Sequence, residues 1–183
     1  MNLPASVAGR ERARLFCALR LPDQALEALS EWQAEHVEQG RIVPRDHLHV
    51  TLAFLGQRPV GELELVLTAL REAARAAPQI RLMPESYRET RSVGMLVLSD
   101  VGEGATRVAA DLQARLSKAG VYEPEKRPWL PHVTVVRFRE RPRLAPPLPG
   151  LGEISPSDAA AYHSVLRSGG AQYFVVESFA LGG

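Results

Sequence analysis

The sequence predicts an α+β fold made of two similar halves, each a small sheet with helices packed against it. Three observations carry this. The pattern His-x-Thr-x occurs twice, as His49-Val50-Thr51-Leu52 and as His132-Val133-Thr134-Val135, each time inside an apolar, strand-like run. The two histidines lie 132 − 49 = 83 residues apart, about half of a 183-residue chain. Segments with helical apolar spacing follow the first copy and precede the second, and the chain finishes in two strand-like runs around Ser168-Gly169-Gly170. An internal duplication accounts for both the spacing and the repeat.

Taken in order, residues 1–12 read as a small, polar, flexible tail, with one bilobal domain over 13–183. Arg14 to Arg20 forms a short strand stopped by Leu21-Pro22. Asp23 is a candidate helix cap, followed by Leu26, Leu29, Trp32 and Val37 at helical spacing, with Gly40 ending the helix. The first motif strand runs to Phe54-Leu55 and stops at Gly56, with Leu48, Val50, Leu52 and Phe54 on its apolar face. Leu63, Val66, Leu67, Leu70 and Ala74 mark a second helix ended by Pro78. Short strands are expected around Ile80–Met83 and Met95–Leu98, with Glu85 to Arg91 as a turn or mobile loop between them. A third helix spans about Glu103 to Lys118, with Val108, Leu112 and Leu116 on one side. The second motif strand follows, then an irregular Pro- and Gly-containing segment from Arg139 to Gly152. Ala159 to Leu166 and Gln172 to Phe179 form the closing hairpin.

Composition narrows the function. Hydrophobic residues make up 45% of the chain, enough for a core without cross-links. A net charge of only +1 argues against bulk electrostatic binding of nucleic acid. The one cysteine, Cys17, has no internal disulfide partner, which points to a reducing compartment. The first ten residues lack the apolar segment of a signal peptide, and no run reaches the ~18 apolar residues of a membrane span. The expectation is a cytoplasmic protein without membrane attachment; the absence of a long heptad pattern argues against a coiled coil, and a monomer is the default.

The repeated motif carries the chemistry. Residues i and i+2 of a strand share a face, so His49 and Thr51 point the same way, as do His132 and Thr134. Two such strands across a groove surround a small anion with two imidazoles and two hydroxyls. One imidazole can accept a proton while the other donates one, and the hydroxyls can hold oxygens where negative charge gathers. Arg137 would add full charge. Strict alternation puts it on the face opposite His132, so a bulge or the strand end must turn it inward.

His49-Val50-Thr51-Leu52-Ala53-Phe54-Leu55-Gly56 and Pro131-His132-Val133-Thr134 with Arg137 resemble the two signature motifs of the two-histidine (2H) phosphoesterase superfamily. Within it the chain is similar to the RNA 2′,3′-cyclic phosphodiesterases, also called 2′-5′ RNA ligases. The likeness extends to Arg14-Leu15-Phe16-Cys17-Ala18-Leu19, to the helix before the second motif, and to Tyr162 through Leu166 with Gly170 through Tyr173. It implies a bilobal, pseudo-symmetric α+β fold with a cleft between two antiparallel sheets and helices outside. It also implies opening of RNA 2′,3′-cyclic phosphate ends to 2′-phosphomonoesters, with no metal or other cofactor. Residue by residue, His49 would be the proton donor to O3′ and His132 the acceptor from water. Thr51, Thr134 and Arg137 would hold phosphate oxygens. Run backwards with a 5′-hydroxyl, the reaction gives 2′-5′ ligation. His47 stands where the family often has asparagine.

Competing readings differ in what they need. A 2H enzyme could act on another cyclic phosphate or on a 2′-5′ oligonucleotide. A metal site would use His47, His49, His132 and His163, leaving the threonines unexplained. A non-catalytic module would bind RNA ends without turnover. Arg127, Arg139, Arg141 and Arg143 form either an RNA-backbone track or a solvated surface. Phe16 is expected in the core, while Tyr173 is a candidate for stacking on a base.

Overall fold

The computed structural model of the chain describes residues 5–182. The first half contributes β1 (Arg12–Arg20), α1 (Asp23–His36), the short β2 (Arg41–Ile42), β3 (His49–Pro59) and α2 (Leu63–Arg75). The second contributes β4 (Leu82–Glu89), β5 (Val93–Asp100), α3 (Gly104–Lys118) and β6 (His132–Arg137), and the hairpin β7 (Asp158–Arg167) and β8 (Gly170–Ala180) closes the chain. The strands lie in the order β4-β5-β6-β3-β1-β7-β8, with β2 alongside β6, and every pairing is antiparallel. The two halves of this curled sheet meet through one registered pair, Val50 with Val133. On either side of it the strands splay, and the splay opens the cleft.

Apolar spacing explains the outer layer. Val66, Leu67, Leu70 and Ala74 bury one face of α2 against α3 and the β7–β8 hairpin. Val108, Leu112 and Leu116 do the same for α3. In β7, Ala159 and Ala161 face the main core while Ala160 faces a small cluster with Phe16, Ala18 and Tyr162 on the cleft side. No helix among the described residues is long and apolar enough to cross a membrane.

Several elements depart from expectation. The segment from Glu85 is not a loop: β4 runs through it to Glu89 and pairs with β5 from Leu82 to Glu89. Its alternation is masked because Pro84 and Ser86 occupy inward positions and the register shifts between them. β3 continues past Gly56, where φ is +68°, to Pro59, because β1 extends back to Arg12 and offers it partners. Asp23 makes no cap: it lies in the first turn of α1 and pairs with Arg45 at 2.9 Å. Residues 1–4 of the expected tail lie outside the described residues. Residues 5–9 form turns, and Val7 is fully buried in the core.

Helix α1 ends at His36, and Gly40 sits in the turn beyond it at φ +100°. A Cβ there would come 2.9 Å from the Arg137 carbonyl oxygen and 2.7 Å from Val136. Gly40→Ala is therefore expected to cost about 1–3 kcal/mol, read by urea unfolding. An unchanged midpoint would show that this turn relaxes freely.

Candidate active site

Both motif strands place their histidine and threonine on the cleft face. Because β3 and β6 run antiparallel through Val50 and Val133, residue 49 lies toward 134 and residue 51 toward 132. The histidines thus sit on a diagonal, with a threonine at each other corner. Each ring is fixed in the same way. His49 Nδ1 bonds the His47 carbonyl at 2.7 Å, and His132 Nδ1 bonds the Leu130 carbonyl at 2.8 Å. A carbonyl only accepts, so each Nδ1 carries a hydrogen and each neutral ring presents Nε2 as an acceptor. The Thr51 hydroxyl, 3.0 Å away, donates to His49 Nε2.

Matching bulges complete the site. In β6 the register against β5 skips Val135, which leaves Val135 and Val136 both buried and swings Arg137 onto the face of His132 and Thr134. In β3 the register against β1 skips Leu52, so Leu52 and Ala53 are both buried and Phe54 turns out. Phe54 is thus not on the apolar face with Val50 and Leu52. It is 46% exposed and lines the cleft, with the Arg14 guanidinium 4.9 Å above its ring. Phe54 and Arg137 are equivalent, each three residues after its motif threonine.

Side chains that sequence reasoning missed hold these bulges. Gln33 of α1, buried, donates to the Val135 carbonyl at 2.6 Å and the Val43 carbonyl at 3.1 Å. Gln113 of α3 donates to the Leu52 carbonyl at 2.8 Å, and the Trp129 indole donates to the Thr51 carbonyl at 2.9 Å. Each glutamine lies on the helix preceding one motif and grips the bulge of the other. A usable signal was present: a glutamine in the helix before each motif, 113 − 33 = 80 residues apart, nearly the histidine spacing.

The two histidines differ in surroundings. Phe16 stacks on Tyr162 at 4.8 Å, lies 5.0 Å from the His49 ring, and is met edge-on by Tyr173. Phe16 is buried, as expected. Tyr173 lies 4.4 Å from His47, which lines the same side of the cleft. Burial in this cluster pushes the His49 pKa down to about 4; the His47 carbonyl works against the shift, while His132, His47 and Arg137 add to it. His132 stands half-buried on the other side.

The cleft consists of two hollows sharing Thr51 and Phe54. One, of about 320 Å³, holds His49, Thr134, Arg137, Arg41 and Tyr173; the other, of about 390 Å³, holds His132, Tyr122 and Trp129. The four arginines of the supposed track are divided. Arg141 pairs with the buried carboxylate of Glu89 at 3.1 Å and helps anchor the irregular segment, as do the Arg143 and Leu144 amides. Arg139 joins Arg41 and Arg137 in a hollow adjoining the His49 side, and Arg127 lies at the His132 side. His163 is buried in β7 and lines neither hollow. Among the described residues no three His, Cys, Asp or Glu side chains group to hold a metal, which leaves the four-histidine metal reading without a ligand set.

Removing a bulge donor should cost stability in proportion to how dry its carbonyl is. Gln33→Leu, at a site 1% exposed, is expected to lose about 1–3 kcal/mol. Gln113→Leu, at a half-buried side chain that lines the His132 hollow, should lose distinctly less. Urea unfolding of the two variants measures both; equal losses would mean that dryness does not set the cost, and no loss in either would mean the bulges do not depend on these amides.

Comparison with known proteins agrees with this geometry. The 2′-5′ RNA ligase superfamily model matches residues 21–160. The chain is 30% identical over 175 residues to the RNA 2′,3′-cyclic phosphodiesterase of Escherichia coli (strain K12), covering 93% of this chain and 98% of that one. It is 33% identical over 181 residues to the protein of that name from Thermus thermophilus, covering 93% and 91%. The crystal structure of E. coli LigT complexed with 3′-AMP superposes with a TM-score of 0.81 at 27% identity, covering 94% of this chain and all of that one (100%). The repeated motif, its mirrored bulges and these matches together show that the chain belongs to the 2′-5′ RNA ligase superfamily.

Proposed function

We propose that this protein hydrolyses RNA 2′,3′-cyclic phosphate ends to 2′-phosphomonoesters by two-histidine acid–base catalysis. The observation that carries the reading is the diagonal of His49 and His132, each with Nε2 available to the cleft and each on its own side of a shared phosphate position. His132 takes a proton from water as water attacks phosphorus. His49 gives a proton to O3′ as the P–O3′ bond breaks, and the phosphate stays on O2′. Thr51, Thr134 and Arg137 hold the non-bridging oxygens. With a 5′-hydroxyl in place of water, the same groups form a 2′-5′ diester. The relatives of that name and the 3′-AMP complex of E. coli LigT support this substrate class. The basic hollow of Arg41, Arg137 and Arg139 beyond the His49 side favours a polynucleotide over a free cyclic nucleotide.

With a pKa of about 4 in the free protein, His49 is neutral at pH 7 and the acid must be charged by the substrate. Raising the value from about 4 to near 7 takes about 4 kcal/mol. One anion about 4 Å away supplies about that much at an effective dielectric constant of ~20. The imidazolium also releases the Thr51 hydroxyl from Nε2, freeing it to donate to phosphate.

Two measurements test this. Chelator-treated protein should convert a 2′,3′-cyclic RNA end to a 2′-phosphate, with His49→Ala and His132→Ala each at least about 100-fold slower. Wild type without turnover, or turnover abolished by chelation, would reject the proposed reaction. Inorganic sulfate, which does not titrate near neutrality, should take up as much as one proton on binding at pH 6–7, followed by calorimetry in buffers of different ionisation enthalpy. Uptake unchanged in His49→Gln would assign the proton to another group.

A further inference from the structure

We infer that the imidazole of His47 is a substrate contact, the ring on which the base of the terminal nucleotide stacks while its cyclic phosphate lies between His49 and His132. The inference rests on the cyclic-phosphodiesterase reading and assigns one more binding residue within it.

With His49 serving the leaving O3′, the terminal nucleoside lies on the His49 side of the phosphate. The lining of that hollow is sorted by strand. Arg41 and Arg137 are partners across β2 and β6, so the charge that suits phosphate lies along that edge. The rings come from the other side of β3: Phe16 from β1 and Tyr173 from β8. His47 joins them from the turn that leads into β3. A base is flat and stacks on aromatic or imidazole rings, so it belongs with this second group.

Most of these rings are already occupied. Phe16 and Tyr162 are buried and stacked on each other. Tyr173 has Phe16, His49 and His47 around it, at ring-centre distances of 5.0, 5.6 and 4.4 Å. His47 is the ring left open: it is half-buried, lines the hollow, and has Tyr173 behind it as its one ring neighbour among the described residues. Its backbone carbonyl holds His49 Nδ1, so its imidazole takes no part in that anchor. Burial lowers the His47 pKa below the ordinary histidine value, with Asp46 working against the shift, and the ring is neutral at pH 7. A neutral ring stacks on a base without adding a positive charge that would oppose the proton on His49. Phe54 also lines this hollow, but it stands between the two hollows with the Arg14 guanidinium over its ring.

The test compares two RNA oligonucleotides ending in a 2′,3′-cyclic phosphate, identical except that the last sugar of one carries hydrogen in place of its base. Wild type should have a KM at least about fivefold higher for the base-less end. His47→Ala should raise KM for the complete end by at least about fivefold and add nothing on the base-less end, where the contact is already missing. His47→Phe, which keeps a ring in place, should hold KM for the complete end within about twofold of wild type. Partial unfolding lowers the apparent kcat and leaves KM where it was, so KM reads the contact independently of folding. A KM raised equally on both ends would make His47 a support for the phosphate site and overturn the inference. So would a wild type with the same KM for both ends, or His47→Phe losing as much as His47→Ala. Preference for the base that survives His47→Ala and disappears in Phe54→Ala would move the contact to Phe54 and overturn it as well. A wild type that hydrolyses neither end overturns the parent reading instead.

Discussion

One antiparallel contact, Val50 against Val133, sets the rest of the site. It joins the half-sheets at the middle residue of each His-x-Thr, so the two motifs face each other by register and not by chance of docking. Because pairing extends no further, the strands part beyond it, and the β3 carbonyls need other donors. Trp129 supplies one for Thr51 and Gln113 one for Leu52, while in β6 the Val135 carbonyl accepts from both the Val43 amide and Gln33. The widening that opens the cleft is what creates the need for the donors to β3. Opening the cleft and bracing it are therefore one structural problem.

The backbone treats the two histidines alike, and the environment separates them. Both donate Nδ1–H to the carbonyl two residues back, yet only His49 lies under Phe16, Tyr162 and Tyr173. Burial favours the neutral imidazole there until an anion arrives. Two like groups with unlike surroundings are a familiar route to separate acid and base roles. In the proposed reaction this means that the acid is charged only when there is a phosphate to protonate against.

Much of this was legible in the residues. The three helices, the motif strands and the closing hairpin follow from apolar spacing, and the shared face of His49 with Thr51 and of His132 with Thr134 follows from alternation. What alternation could not give is where alternation fails. The bulges at Leu52 and Val135 depend on donors from helices far along the chain, so Phe54 was read as core and Arg137 as facing away unless a bulge intervened. Strand β4 was missed for a related reason. Its inward positions include Pro84 and Ser86, and its pairing with β5, including the shift between them, is invisible to a local pattern.

The mirrored glutamines also bear on why the halves stay together. Helix α1, from the first half, grips the motif strand of the second, and α3, from the second, grips that of the first. Neither half therefore completes its own bulge, and separating them would expose the Val135 and Leu52 carbonyls as well as the core. Within this reciprocal frame the symmetry is broken at one pair of equivalent positions: the third residue after the threonine is Arg137 on one strand and Phe54 on the other. Arg137 brings its charge to the His49 hollow, whereas the Phe54 ring stands between the two hollows and lines both. The repeated motif thereby gains a direction, which the proposed transfer, with distinct entering and leaving groups, requires.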